Sequence, residues 1–189
     1  MIKLGDKRYL LWKLLQSYFP ADEQEERKRL EIIDFIERNP DCFERNLAEG
    51  HITGSVLVIN DDYTHALLTH YAILDLWLQF GGHSDGDPNI LNVALREAVE
   101  ESGLTSLRFI SDKIGIFDVD IHEIPHDSTL DFNHKHHDIR FLLVADDKEK
   151  FTITRESKDL KWIKLEDAGN YNSQQAFLRM IGKVNHLKR

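Results

Sequence analysis

The sequence has 189 residues, with 24 Lys and Arg against 33 Asp and Glu, which gives a formal net charge of −9. This acidic balance argues against binding to duplex nucleic acid, and no apolar run reaches the roughly 20 residues that span a bilayer. With 41% hydrophobic and 30% charged residues, the chain is expected to fold as one globular domain with an appendage. Charged residues near the start interrupt any signal-peptide pattern, so we expect a cytoplasmic protein. Because Cys42 is the single cysteine, we expect no internal disulfide.

The first fifty residues are predicted to be helical. Residues 8–19 carry apolar side chains at helical spacing, and Pro20 ends this pattern. Asp22 is predicted to cap a second helix that runs to about Arg38 and carries an isoleucine stripe on one face. We expect the two helices to form a hairpin whose charged residues face solvent.

From residue 51 onward, short β-rich segments predominate. The sequence predicts strands at residues 53–60, 64–70, 73–80, 107–110, 114–124, 138–145 and 160–165. It predicts one long helix at residues 88–102 and a last amphipathic helix at residues 173–186. Because strands outnumber helices and hairpins mix with crossovers, we predict an α/β protein of the α+β type, with a mixed sheet flanked by helices.

The predicted helix at residues 88–102 carries an unusual set of charges. Asp87 and Pro88 suit its start, and Gly103 suits its end. Three glutamates share one face at i, i+3 and i+4, and the last two lie at the negative end of the helix dipole; they are Glu97, Glu100 and Glu101. At an effective dielectric near 20, each pair at ~6 Å repels by about 3 kcal/mol. A bound hard cation such as Mg²⁺ or Mn²⁺ would explain the cluster, whereas the plain alternative is a glutamate-rich surface helix.

The segment from Gly81 to Leu104 resembles the signature of the Nudix hydrolase family, G-x5-E-x7-R-E-U-x-E-E-x-G-U, where U is a bulky aliphatic residue. The matching positions are Gly82, Arg96, Glu97, Glu100, Glu101, Gly103 and Leu104. Two positions depart from the signature: Pro88 replaces its first glutamate, which puts the rigidity of the loop in doubt, and Ala98 replaces an aliphatic residue. Weaker similarity to a bacterial Nudix subgroup covers residues 50–168.

The resemblance implies a Nudix-like α/β/α sandwich with a mixed sheet at residues 50–189, and an N-terminal helical hairpin at residues 1–49 as an appendage. It also implies a hydrolase that cleaves a diphosphate bond in a nucleoside diphosphate linked to another moiety, by metal-activated water. A small-molecule nucleotide or diphosphate is then the substrate, and by family analogy a homodimer is expected. The alternative is a Nudix-fold nucleotide-binding or regulatory module without turnover.

By the same resemblance, Glu97, Glu100, Glu101 and the Gly81 carbonyl bind Mg²⁺ or Mn²⁺. Arg96 is implied to hold Glu97 in position, and Glu97 is alternatively the general base. Family members also take an acidic residue from a later loop, for which the candidates here are Asp138, Glu156 and Asp159, with Glu156 preferred. Each of these candidates is alternatively a plain surface carboxylate.

Histidines are frequent, at 10 in the chain. His83 follows the glycine pair and is placed to meet a phosphate. His134 and His136 alternate with Lys135, so they face the same way in an extended segment. We predict that His83, His134 and His136 contact the substrate. For His134 and His136 there are two alternatives: they form a Zn²⁺ or Ni²⁺ site, or they are loop histidines that cap backbone groups.

Aromatic residues and the single thiol have plainer interpretations. Trp77 and Phe80 precede the glycine pair, where they either stack on a base or pack in the core, and core packing is favoured for both and for Trp162. Cys42 is predicted to be an inert, partly buried thiol.

Overall fold

The computed structural model describes residues 2–73, 75–111, 115–124, 133–155 and 157–187. The helices are α1 Tyr9–Ser17, α2 Glu23–Arg38, α3 Ile90–Ser102 and α4 Gln175–Leu187, with a 3-10 helix at Leu165–Asn170. The strands are β1 Gly50–Asn60, β2 His65–Tyr71, β3 Leu76–Leu78, β4 Phe80–His83, β5 Arg108–Phe109, β6 Asp118–Ile124, β7 His134–Ala145 and β8 Ser157–Lys164. The predicted α+β class is confirmed, and the N-terminal helices are present.

The chain divides into two compact units. The first contains Met1–Gly54, Gly82–Val93 and Gly115–Arg140, and the second contains Ser55–Gly81, Ala94–Ile114 and Phe141–Arg189. Strands β1 and β7 and helix α3 contribute residues to both units. Within the described ranges, no helix combines the length and the apolar character that crossing a membrane requires.

The first unit joins the N-terminal helices to a β-hairpin. The predicted cap of α2 is confirmed, since the Asp22 carboxylate accepts a hydrogen bond from the backbone N–H of Glu25 at 2.8 Å. Strands β6 and β7 pair antiparallel from Asp118 opposite Arg140 to Ile124 opposite His134. Helix α2 lies against β6, and its Phe35 ring stacks on His137 of β7. The isoleucines of α2, Ile32, Ile33 and Ile36, are buried.

The second unit is organised around β2. This strand pairs antiparallel with β1, with β3 and, over most of its length, with β8. Strand β5 pairs with the end of β7, with Arg108 opposite Val144. The predicted last helix is observed as α4, and its apolar residues at helical spacing are buried, namely Ala176, Phe177, Met180, Ile181 and Val184.

Several predicted strands differ in extent from the observed ones; the strand predicted at 114–124, for example, is observed as β6 only from Asp118 onward. The segment 73–80 is divided into β3 and β4, and Asp75 just before β3 has a φ of 54°, which an extended strand does not allow. Strand β7 begins at His134 rather than at residue 138, because its pairing with β6 extends to that residue. Leu74 and Ile114, which the sequence predicts in strands, lie outside the described residues.

Candidate active site

Helix α3 begins later than the sequence predicts. Its first residue is Ile90, and the Asn89 side chain accepts a hydrogen bond from the N–H of Asn92 at 3.3 Å. The prediction that Asp87 caps the helix with Pro88 as its first residue is therefore wrong. The Asp87 carboxylate instead accepts from the N–H of Asn89 at 2.8 Å, which forms the turn before the helix and leaves the cap to asparagine.

The end of α3 follows the prediction. Gly103 has a φ of 70°, and its N–H donates to the Val99 carbonyl at 2.8 Å. This left-handed residue directly follows Ser102, which is the last residue of the helix. Glu100 and Glu101 therefore lie in the last turn, as the spacing implied.

The three signature glutamates differ in burial. Glu101 is only 7% exposed, and its carboxylate accepts a hydrogen bond from the Gly81 N–H at 3.1 Å. Glu97 is half-buried and pairs with the Arg96 guanidinium at 3.0 Å, while Glu100 is exposed. The structure thus joins Gly81 to Glu101 and Arg96 to Glu97 in the second unit. The Arg96–Glu97 pair is the contact that the predicted role of Arg96 requires, while the ligand roles of the glutamates and of the Gly81 carbonyl stay predictions.

The chemistry of these groups fits a hard divalent cation. Three carboxylates on one helix face and a backbone carbonyl at Gly81 are all oxygen donors, which Mg²⁺ and Mn²⁺ prefer. A carboxylate as buried as that of Glu101 requires compensating positive charge or hydrogen bonds, and a cation supplies the former. The residues present therefore fit the ion that the resemblance implies.

The later acidic candidates have different surroundings. Asp138 is 4% exposed and accepts hydrogen bonds from Arg140 at 2.8 Å and from Thr53 at 3.0 Å. Burial would raise the pKa of Asp138, but hydrogen bonds from His122 and Arg140 and the charge of Arg140 outweigh it and hold the pKa below its usual range. Asp159 is exposed on β8, and Glu156, the preferred candidate, lies outside the described residues.

The predicted substrate-binding histidines come together in the first unit. The Nε2 atom of His136 lies 3.3 Å from that of His83 and 3.2 Å from that of His134. His134 and His136 are inside β7 rather than in the loop before it. His126 lies outside the described residues.

A fourth histidine, His51, joins this group and was missed by the sequence reasoning. Its ring centroid lies 5.0 Å from that of His83, 5.1 Å from that of His134 and 4.6 Å from that of His136. Burial, followed by the charge of neighbouring histidines, lowers the pKa of His51 to about 3 and the pKa of His136 to about 2. No local signal marks His51, because it meets the others only through residues far away in the sequence.

Of the aromatic residues expected to pack in the core, Phe80 does so, whereas Trp77 and Trp162 are only half-buried. Phe80 is fully buried, and Trp77 stacks on His70 at 4.8 Å between ring centroids, with Tyr171 edge-on at 5.6 Å. Cys42 is buried, and burial raises the pKa of its thiol to about 12, which agrees with an inert group.

Comparisons with known proteins identify the family and support the fold. Residues 51–181 match the family model described as the NUDIX domain, so the chain belongs to the Nudix family. The classification as a Nudix-type hydrolase is confirmed at the level of this family. A search of curated proteins finds no significant match.

Several solved structures are similar in fold. The C. elegans Ap4A hydrolase, in a binary complex, has a TM-score of 0.54 at 17% identity, with 72% of this chain and 96% of that chain covered. The E. coli dihydroneopterin triphosphate pyrophosphohydrolase has a TM-score of 0.52 at 17% identity, with coverage of 70% and 92%. The NUDIX domain of Shewanella oneidensis NrtR, complexed with ADP ribose, has a TM-score of 0.52 at 16% identity, with coverage of 82% and 97%. At these identities, the likeness concerns the fold alone.

Proposed function

We propose that this protein is a metal-dependent hydrolase that cleaves a diphosphate bond in a nucleoside diphosphate linked to another moiety. The observation that carries the proposal is a pair of contacts at the signature glutamates of α3. Arg96 pairs with Glu97, and the Gly81 N–H donates to Glu101. Membership in the Nudix family supports it. So do the names of the E. coli and C. elegans proteins of the same fold, which act on a triphosphate and on Ap4A.

The residues of this chain would have the following roles. Glu97, Glu100, Glu101 and the Gly81 carbonyl would hold Mg²⁺ or Mn²⁺. Such an ion neutralises phosphate charge and lowers the pKa of water, which an in-line displacement at phosphorus requires. The Arg96 guanidinium would fix the Glu97 carboxylate through a charge-assisted hydrogen bond, whether Glu97 binds metal or accepts a proton.

Other parts of the proposal rest on the resemblance and on composition. Glu156 stays the preferred later-loop carboxylate, and His83, His134 and His136 are proposed to contact the substrate. A small nucleotide suits the net charge of −9 better than a duplex nucleic acid does. The boundary between a 1–49 appendage and a 50–189 Nudix domain, the homodimer and the cytoplasmic location all stay predictions.

The test is hydrolysis of a substrate panel with Mg²⁺ or Mn²⁺. The panel holds nucleotide sugars, dinucleoside polyphosphates, ADP-ribose and nucleoside triphosphates. We expect product from at least one class, and we expect Glu100→Gln and Glu101→Gln each to lower kcat/KM by about 100-fold or more, because each removes a charged ligand. Product is measured by chromatography of the reaction mixture.

The matched control is Glu166→Gln, which neutralises a glutamate whose side chain is 75% exposed in the 3-10 helix. This variant is expected to retain wild-type kcat/KM. Turnover that survives neutralisation of Glu100 and Glu101, or that requires no divalent cation, would refute the proposal.

The second candidate is a nucleotide-binding or regulatory module without turnover. Pro88 in place of the signature's first glutamate favours it, and the NrtR NUDIX domain with ADP ribose shows that this fold binds a nucleotide. This candidate predicts that a nucleotide raises the melting temperature while no product forms under any metal condition.

A further inference from the structure

Four histidines of the first unit meet at one place outside the glutamate helix. His51 comes from β1, His83 from β4, and His134 and His136 come from β7. The two histidines of β7 are separated by one residue, so both side chains lie on the same face of the strand. Three separate strands therefore deliver imidazole rings to a single cluster, which we call the histidine cluster.

The ring nitrogens of this cluster lie close enough together to be considered as ligands of one ion. One nitrogen each from His51, His83 and His136 can be chosen so that all three lie within 4.8 Å of one another. The Nε2 atoms of His83 and His136 are 3.3 Å apart. A tetrahedral ion with bonds to nitrogen of about 2.0–2.1 Å places its ligand atoms about 3.3–3.4 Å apart, so this spacing needs little adjustment.

The Nε2 atom of His136 has two ring nitrogens as close neighbours. A neutral imidazole nitrogen carries either one hydrogen or one lone pair, yet His136 Nε2 faces both His83 Nε2 and His134 Nε2 within 3.3 Å. It can make one well-directed hydrogen bond with these two neighbours. An ion at the convergence point would instead accept several lone pairs at once.

His51 provides an independent observation. Its side chain is 0% exposed, and among the described residues neither of its ring nitrogens has a hydrogen-bond partner. Buried polar atoms of this kind call for an explanation, and a bound ion is one of the few available.

We propose that His51, His83 and His136 bind a divalent transition-metal ion of the zinc class, at a site separate in its ligands from the signature glutamates. Imidazole nitrogens suit Zn²⁺, Ni²⁺ and Cu²⁺ rather than Mg²⁺, so the two ligand sets prefer different ions. Three protein ligands leave a fourth position open for water or another group. His134 lies beside His136 and is outside the group of three.

The experiment measures zinc on the full-length protein. Protein stripped with chelator is reloaded with Zn²⁺ in excess Mg²⁺, dialysed, and analysed for zinc per chain and by titration calorimetry. We expect one tightly held zinc per chain. His83→Gln and His136→Gln are each expected to raise the zinc Kd by about 100-fold or more, and His134→Gln to raise it less.

Three controls make the result specific. His186→Gln changes an exposed histidine of α4 and is expected to bind zinc like the wild type. Glu100→Gln with Glu101→Gln neutralises two of the three signature glutamates and is also expected to keep its zinc. Co²⁺ replacing Zn²⁺ on the wild-type protein is expected to show the visible spectrum of tetrahedral coordination, which needs no variant to fold.

The opposite outcomes would overturn the proposal. These are no retained zinc on the wild type, equal zinc binding in the His83→Gln and His136→Gln variants, or loss of zinc on neutralising the glutamates. His83 is half-buried, so its substitution is the variant of choice if a change at the fully buried His51 prevents folding. Zinc is measured here as bound metal and hydrolysis as product formed with Mg²⁺, so the two proposals can fail separately.

Discussion

Arg140 is 2% exposed, and its guanidinium contacts the carboxylates of three buried aspartates of the first unit. The distances are 2.8 Å to Asp138, 3.1 Å to Asp120 and 3.5 Å to Asp118. Lys28 of α2 also pairs with Asp120. Buried charges of one sign are tolerated only when opposite charges compensate them, so this arginine keeps three carboxylates compatible with the interior.

At this scale we predict that Arg140→Met lowers the free energy of unfolding by about 3–5 kcal/mol, since it leaves buried carboxylates without their main counter-charge. Urea denaturation followed by circular dichroism measures this. Arg38→Met is the control, because Arg38 is half-exposed and bridges Asp34 and Glu49 at the surface, where such pairs contribute at most about 1 kcal/mol. If both variants lowered the free energy of unfolding by similar amounts, the structural role assigned to Arg140 would be contradicted.

At the scale of single elements, the end of α3 sets where the last two glutamates lie. Gly103 has a φ of 70°, and a Cβ at this position would lie 3.0 Å from Thr152 Oγ1 and 3.2 Å from Thr152 Cβ. Both the backbone angle and the neighbouring threonine therefore favour glycine. Gly182 in the interior of α4 is the opposite case, because a Cβ there meets no atom within 4 Å.

We predict that the two glycines respond to alanine with opposite signs. Gly103→Ala is expected to destabilise the protein by about 1–2 kcal/mol through left-handed strain, with the contact to Thr152 adding to it. Gly182→Ala is expected to stabilise it by about 0.5–1 kcal/mol, because alanine is the better helix former. Chemical denaturation of both variants in one buffer measures this. A lower free energy of unfolding for Gly182→Ala would contradict the prediction that α4 has room for a methyl group at this position.

At the scale of the whole molecule, the N-terminal helices are tied to the β6–β7 hairpin of the first unit. The Tyr18 hydroxyl donates to the Phe117 carbonyl at 3.0 Å, and the buried Glu25 accepts from the Val119 N–H at 3.3 Å. The Phe35 ring stacks on His137 with centroids 3.9 Å apart. These residues lie within one compact unit, although the sequence predicts residues 1–49 as an appendage.

We therefore predict that the chain shortened to residues 50–189 is less stable than the full chain by more than about 3 kcal/mol, since it loses at least these hydrogen bonds and apolar burial. Thermal unfolding followed by circular dichroism compares the two chains. As a control, Phe19→Ser changes a residue that is 91% exposed and is expected to leave the melting temperature near that of the full chain. A fragment as stable as the full chain would mean that residues 1–49 fold as a separate appendage.

Features that depend on neighbours within one or two helical turns were predictable from the sequence. The cap at Asp22, the stop at Gly103 and the shared face of Glu97, Glu100 and Glu101 are set by residues three or four positions apart. The start of α3 was mispredicted even so, because Asp87 and Asn89 are both good caps and only the turn geometry chooses between them.

The amino-acid order by itself determined the helices, most of the strands and the grouping of the acidic signature, since these follow from periodicity and local capping. The tertiary structure alone decided that His51 joins His83 and His136, and that Arg140 meets Asp118 and Asp120 in the interior. Such tertiary contacts depend on which strands pair and in what register. Strand register is a property of contacts between residues tens of positions apart, and a local pattern does not contain it.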